Sequence, residues 1–383
     1  MQPVAKETLE TVQKDKNYLV QLDGLRFLAV TLVMIDHWVG EAVHLPIGYF
    51  GVNLFFVLSG FLITRILITS KQHDQKLQRG HGHALRAFYI RRSLRIFPIY
   101  YITIIFLAAL NFQTVRQTFW WLMTYTPNIW VVRHQTWLGS LDHLWSLAVE
   151  EQFYIFFPFL IFFIPDRYVF RSLFGLIGVS LLLRVYLFVT HAPWLAQFVL
   201  MPTCLDAFGM GGILAYLMVN HRDRFIKLVT NNIFLVVSFL LYALNLFLMK
   251  WLPGAADHLN RNIATDITDR FATSLFCMFL IGRAVVGFGQ PIKWILENRV
   301  SNYLGRISYG LYLFHNLVYN YYHSPPLYPT LRVWHKAVTL LPALDSVPFL
   351  RIGYFYVLTV LIATLSWHFI EKPINALKDK FTY

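Results

Sequence analysis

Charge is scarce in this sequence. Asp, Glu, Lys and Arg make up 14% of its 383 residues, against about a quarter in soluble domains. With 57% hydrophobic and 17% aromatic residues, that scarcity excludes a soluble core and predicts an all-α, polytopic membrane protein. Cysteine is nearly absent. Cys204 and Cys277 both fall inside apolar stretches, so no disulfide framework is expected and both read as packing residues. Residues 1–18 are polar and hold no apolar signal region, so the first hydrophobic segment is expected to be retained as a membrane helix. There is no Walker-type phosphate loop, no metal-ligand spacing, no heptad array, no internal repeat and no low-complexity tract. No metal site is expected.

What the chain does have is apolar runs of near-spanning length. They lie at about 19–40, 50–70, 93–111, 143–164, 172–190, 203–219, 232–250, 270–288, 303–322 and 351–370. About ten membrane helices would put both termini on one side. The net charge of +13 raises the question of nucleic acid, and its distribution answers it. With the N-terminus inside, the inner segments hold twenty-two Lys and Arg and the outer segments six. That bias predicts N-in and C-in and accounts for most of the basic excess without nucleic acid. The expected layout is a cytoplasmic tail at 1–18, a membrane domain at 19–371 and a cytoplasmic tail at 372–383. Residues 112–142 are too broken by Pro127, Asn128 and two arginines to span, and read as an outer, aromatic-rich or re-entrant segment. The proline-rich stretch 323–350 reads as an outer loop. The inner-loop histidines His73, His81 and His83 read as solvated.

Arg26 and His37 share one expected membrane helix, where ionisable groups are costly and usually face an interior path. Eleven residues apart, they lie on one face at a separation of about 16 Å. The bland alternative pairs Arg26 with Asp23 at the interface and lets His37 bond a neighbouring helix. Asp36 adds a second ionisable group at the depth of His37, yet points about 100° away, so a better partner for His37 would come from another helix. Arg91, Arg92 and Arg95 cluster at the cytoplasmic start of the third run. They are either orientation markers or a phosphate site, since arginine forks bind phosphates bidentately. Pro98 would open backbone groups nearby. Glu150 and Glu151 sit among apolar and aromatic residues, where at least one should face a cavity. Either carboxylate would orient His37 or hold a hydroxyl substrate. Ser146 shares a face with Glu150. Gly48, Gly51, Ser59 and Gly60 read as close helix packing, with Asn53 lining the same interior. Ser308, Tyr312 and His315 align on one face of a later run.

Taken in order, LDGLRFLAV with its Arg26-to-His37 spacing, GVNLFFVLSGFLI, RRSLRIFPIYY, WSLAVEEQFY and SYGLYLFH resemble the integral-membrane acyltransferase-3 family over roughly residues 19–371. These are bacterial O-acyltransferases of surface polysaccharides and of some small natural products. Many members carry an appended hydrolase-like outer domain. This chain ends about a dozen residues after its last run, so an activity needing that domain is not expected of it. The resemblance implies a multi-pass protein of the bacterial cytoplasmic membrane. It also implies transfer from acyl-coenzyme A, acetyl-coenzyme A above all, to a hydroxyl of a glycan or lipid-linked glycan. No permanently bound cofactor is implied. The expected catalytic residues are His37, Glu150 and Glu151, with Arg26, Arg91, Arg92 and Arg95 binding the donor. Asp36, Asn53, Ser146, Tyr312 and His315 are expected around the acceptor or behind the reacting groups. His37 would act as general base, or carry a covalent acyl group. Two alternatives stay open: a proton-coupled transporter or flippase, and a small natural product or lipid as acceptor. The expected partners are the donor, the acceptor and membrane lipids, and a homodimer is left open.

Overall fold

A computed structural model describes residues 19–40, 45–254 and 261–382. The expected tail at 1–18 lies outside the described residues, among which every regular element is helical. The long helices are α1 (Val20–Val39), α2 (Ile47–Lys76), α3 (Gly82–Ala109), α4 (Leu144–Phe163) and α5 (Asp166–Val189). They continue with α6 (Leu205–Asn220), α7 (Asn232–Trp251), α8 (Asp269–Val286), α9 (Ser308–Val318) and α10 (Pro348–Ser366). Apolar runs fold this way because a lipid-facing backbone must satisfy its own hydrogen bonds, which a helix does within one segment.

Seven helical segments of the described residues are long and apolar enough to cross a membrane: α2 to α7, and the segment built on α10. The other three expected runs are also helical but depart from that pattern. The first carries Asp23, Arg26 and Asp36 in α1, and the eighth carries Asp269, Arg270 and Arg283 in α8. The ninth is broken at Ile307 into Arg299–Arg306 and α9.

α7 has an inverted pattern. Its buried residues are the polar Ser238 and Asn245, while Leu240 and Phe247 are 57% and 56% exposed. Polar atoms inside and apolar chains outside is the arrangement that a hydrocarbon solvent selects. Small residues bring the central helices together, as the motif around Gly51 and Gly60 suggested. A Cβ on Gly51 would lie 2.5 Å from the Ala29 carbonyl oxygen of α1. One on Gly60 would overlap the Phe208 backbone of α6, and one on Gly211 would overlap that of Val57. α2 is thereby clamped between α1 and α6 at backbone contact.

One connection agrees with expectation and two differ. Residues 112–142 form the short helices Gln113–Gln117, Phe119–Met123 and Pro127–His134, none of spanning length. The stretch 323–350 is not a plain loop, because Pro329–Leu340 is helical. In the loop after α2, His81 is not simply solvated. The carboxylate of Asp74, a fully buried residue, pairs with Arg79 Nε at 2.6 Å and His81 Nδ1 at 3.1 Å, and the His81 ring stacks on Phe162. His73 and His83 are exposed. Pro98 lies deep inside α3, which begins at Gly82, so it does not mark a first turn.

Candidate active site

A cavity with about 820 Å³ of empty space opens between α1, α2, α3, α4 and α9. Its charged lining is Arg26, Arg92, Arg95, Glu150 and Glu151, set against apolar walls that include Phe55 and Phe56. Arg26 reaches the cavity while Nη1 pairs with Asp23 Oδ1 at 2.8 Å, so the bland pairing and the cavity position hold together. Arg92 lies with its guanidinium carbon 5.7 Å from the Tyr154 ring centroid and 5.9 Å from that of Phe88. Such stacking leaves the planar edge of the fork to receive an anion.

Arg91 does not line this cavity. Its Nη1 donates to the carbonyl oxygens of Lys378 and Phe381 at 2.8 and 2.9 Å. Helical phase explains the difference, because neighbouring positions point about 100° apart and Arg91 faces the C-terminal segment. That segment, expected as a tail at 372–383, is ordered as helix Lys372–Ala376 and the turn Leu377–Lys380.

Glu150 does not meet His37. Its Oε1 accepts from Ser59 Oγ at 2.7 Å, and Ser59 Oγ accepts from the Tyr154 hydroxyl at 2.9 Å. Glu150 and Tyr154 are one turn apart on α4, which aligns them on the Ser59 face of α2. Glu151 lines the same cavity. Neither glutamate orients the imidazole, because α4 delivers both to the arginine-bearing cavity.

At another part of the cavity lining Ser146 Oγ and the Tyr312 hydroxyl are 2.5 Å apart. Both lie within reach of the His143 carbonyl oxygen, at 3.0 and 3.2 Å. Each hydroxyl has one hydrogen, so one donates to that carbonyl and the other to its fellow hydroxyl. The second hydrogen is the one a new acceptor in the cavity can recruit.

One turn beyond Tyr312 is His315, fully buried, and it supplies the partner that His37 was expected to find on another helix. His37 Nδ1 and His315 Nε2 are 2.8 Å apart, with ring planes within 14°. The tautomers follow from chemistry. His315 Nδ1 is 2.6 Å from the Tyr312 carbonyl oxygen, which can only accept, so Nδ1 carries hydrogen. In a neutral ring Nε2 then holds a lone pair and accepts from His37 Nδ1–H. His37 Nε2 is left with a lone pair of its own. The His37 backbone is fixed as well, since its carbonyl oxygen accepts from Tyr321 N–H at 2.9 Å. His37 itself is half-buried and is not part of the cavity wall.

His143 is a third histidine of this cluster, and sequence reasoning gave it no role. Its ring centroid is 4.8 Å from that of His315. Nε2 donates to the Leu313 carbonyl oxygen at 3.2 Å, and Nδ1 accepts from the Asn316 amide at 3.0 Å. The available signal was a histidine three residues before Ser146 at the head of the WSLAVEEQFY motif. Ser59 read as a packing residue, and Tyr154 carried no signal that set it apart from the aromatic residues around Glu150 and Glu151. Asp36 and Asn53 stand apart from this arrangement. Asp36 lies against Gly48 at the α1–α2 contact. Asn53 is fully buried and donates to the Tyr49 carbonyl oxygen at 2.9 Å. Among the described residues no group of His, Cys, Asp and Glu could hold a metal ion.

Fold and site together define a polytopic helical membrane protein built around an ionisable cavity with a histidine chain beside it. More particularly, the chain belongs to the acyltransferase-3 family, whose model, described as an acyltransferase domain, matches residues 19–370. The chain is 30% identical, over 94% of its length, to O-acetyltransferase OatA of Staphylococcus aureus (strain NCTC 8325 / PS 47), covering 57% of that protein. It is 29% identical, over 97% of its length, to "Putative O-acetyltransferase SAR0937" of Staphylococcus aureus (strain MRSA252), covering 61% of that protein. The chain thus spans about three-fifths of the length of these relatives. No solved structure matches it.

Proposed function

We propose that this chain is a membrane O-acyltransferase that moves an acyl group from cytosolic acyl-coenzyme A to a hydroxyl of a cell-surface glycan or its lipid-linked precursor. Acetyl is the favoured group, in keeping with the names of the relatives. The observation that carries this reading is the layout of α1. Arg26 lies in an arginine-bearing cavity, and eleven residues on, His37 is held with an Nε2 lone pair.

In this reading the donor phosphates bind Arg92 and Arg95 with help from Arg26, and the pantetheine arm follows the apolar wall at Phe55 and Phe56. The acyl end passes the Ser146–Tyr312 pair, whose mutual bond opens so that one hydroxyl donates to the thioester carbonyl oxygen. His37 Nε2 takes the proton of the acceptor hydroxyl as its oxygen bonds to the thioester carbon. The carbonyl oxygen carries the negative charge until the carbon–sulfur bond breaks. The departing thiolate then takes the proton back from His37, which restores the neutral ring. The lysine and arginine bias puts the arginine end of the cavity toward the cytosol. In the same reading about ten spans, with N-in and C-in orientation, cross a bacterial cytoplasmic membrane.

The test uses the full chain purified in detergent with acetyl-coenzyme A labelled in the acetyl group. Label should leave coenzyme A and appear on de-O-acylated surface glycan, and His37→Ala should abolish both. Activity that survives His37→Ala overturns the assignment of the base. Label trapped on His37 without acceptor would replace direct transfer by a covalent acyl-histidine.

A further inference from the structure

A second cavity lies across an aromatic wall from the first. Phe56, which lines the first cavity, meets Trp145 at 6.0 Å between centroids. Trp145 in turn meets Phe198 at 5.1 Å. Phe198 lines the second cavity together with Tyr49, Trp194, Arg184, Gln197 and Arg270. Its empty space, counted out to open solvent, is about 300 Å³, well below the first cavity's 820 Å³ counted in the same way.

Its arginines are engaged. Arg184 pairs with Asp206 at 2.5 Å and Arg261 with Asp266 at 2.7 Å. Arg270 directs its fork to the Phe198 carbonyl oxygen and Cys204 Sγ, both at 2.8 Å, and Asp269 is its neighbour in α8. Arg184 and Arg261 are thus each engaged by an aspartate, and the Arg270 fork is engaged by neutral acceptors.

Hydrogen-bonding capacity does remain. Gln197 is 5% exposed and gives its amide nitrogen to Asp266 at 3.2 Å. Its Oε1 has no partner among the described residues. Arg184 is 2% exposed, and among the described residues its Nε has none either. One unpaired acceptor and one unpaired donor suit a hydroxyl group, which both donates and accepts. The rim is aromatic: Tyr49, Trp194 and Phe198 are all half-buried, with Phe198 5.6 Å from Tyr49 and 5.1 Å from Trp194 between centroids. Flat apolar faces around a few polar groups fit the alternating C–H faces and hydroxyl edges of a pyranose.

We propose that this second cavity binds one uncharged sugar ring of the acceptor, at a position other than the ring being acylated. The proposal rests on the acyl-transfer reading with a glycan acceptor. Arg270 couples the two spaces, lying 5.9 Å from the Phe198 ring centroid and 6.0 Å from that of Phe56. A glycan seated there would be held on the wall that the two cavities share.

The experiment measures transfer from labelled acetyl-coenzyme A to de-O-acylated surface glycan by the full chain in detergent, with donor hydrolysis followed in parallel. Gln197→Leu and Trp194→Ala should each raise KM for glycan about tenfold or more. Donor hydrolysis and kcat at saturating glycan should stay within twofold of wild type. Trp194→Phe, which keeps a ring, should fall between, and guards against a folding defect in the alanine variant. In a His37→Ala background, saturable quenching of tryptophan fluorescence by the glycan should persist and weaken with Gln197→Leu. An unchanged glycan KM overturns the proposal and leaves the cavity to internal water. A parallel loss of donor hydrolysis in all three variants overturns it as well, because the residues would then be structural. If wild type hydrolyses the donor but labels no glycan, the acceptor reading itself fails, an outcome separate from any effect of these variants.

Discussion

Replacing His315 by phenylalanine tests the histidine chain directly. His315 is fully buried, its Nε2 lies 2.8 Å from His37 Nδ1, and it contributes nothing to the arginine-bearing cavity. Phenylalanine keeps a flat ring in the space but removes the acceptor for His37 Nδ1–H. A buried donor left unsatisfied costs about 1–3 kcal/mol. That is the energy holding His37 in the tautomer with a lone pair on Nε2. At about 1.4 kcal/mol per decade, kcat should fall roughly 10- to 100-fold. The loss should be smaller than for His37→Ala, which removes the proposed general base, a role worth about 10²–10⁴. KM for acetyl-coenzyme A should not move, since His315 does not line the cavity proposed for the donor. His315→Gln places an amide oxygen near the lost nitrogen and should recover part of kcat. The assay is steady-state transfer of labelled acetyl groups, with thermal unfolding as the check on fold. A folded His315→Phe protein with normal kcat would refute the reasoning. So would a raised donor KM at constant kcat, or a glutamine variant no better than phenylalanine.

Other substitutions separate neighbouring residues. Arg92→Ala and Arg95→Ala should each weaken donor binding about 10- to 100-fold, as expected for losing a charge-assisted hydrogen bond of about 1.5–3 kcal/mol. Arg91→Ala should leave donor KM unchanged while lowering thermal stability, because Arg91 holds the carbonyls of Lys378 and Phe381. Titration calorimetry with acetyl-coenzyme A distinguishes the two cases. Gly60→Val places methyl groups where the Phe208 backbone now lies, and should cost about 1–3 kcal/mol or prevent folding, read by detergent-phase melting. His323, in the segment after α9, pairs with Asp142 at 3.0 Å, and that carboxylate raises its pKa above the ordinary value. A raised folded-state pKa means the stabilisation is full below the ordinary histidine value near 6.5 and is lost as pH rises through the raised one. His323→Ala should therefore lower Tm at pH 6 and lower it less at pH 9. An equal shift at both values would contradict the ion pair.

Periodicity made the helices legible. Apolar run lengths located helices along the chain, seven of them long and apolar enough to span among the described residues, because a lipid-facing backbone has little other choice. Helical phase also placed Ser308, Tyr312 and His315 on one face, and the structure uses that face. What phase does not encode is the partner. Arg91 and Arg92 are adjacent in the chain, yet one binds the C-terminal segment and the other stacks on Tyr154. Glu150 was equally suited to His37 and to Ser59 until the relative depths of α1, α2 and α4 were fixed. Ser59 and Gly60 read alike as small residues. Only the approach of α6 to Gly60 and of Glu150 to Ser59 tells them apart.

Three of the helices that carry ionisable residues are also the ones that least resemble membrane spans. α1 holds Arg26 and His37, α9 holds Tyr312 and His315, and α8 holds Arg270. Each departs from a plain apolar run by charge or by a break, and each is clothed by the more ordinary helices. A charged group at that depth is tolerated when a partner offsets its desolvation. Asp23 does this for Arg26, while the Phe198 carbonyl and Cys204 do it for Arg270. Such partners sit on fixed helices, so each polar side chain has few positions open to it. That restriction favours catalysis by placement, since groups already held in position need little reorganisation when charge develops. It follows that Gly51, Gly60 and Gly211 matter to the chemistry without touching it. They fix α2, which carries Ser59, against α1, which carries Arg26 and His37, and against α6.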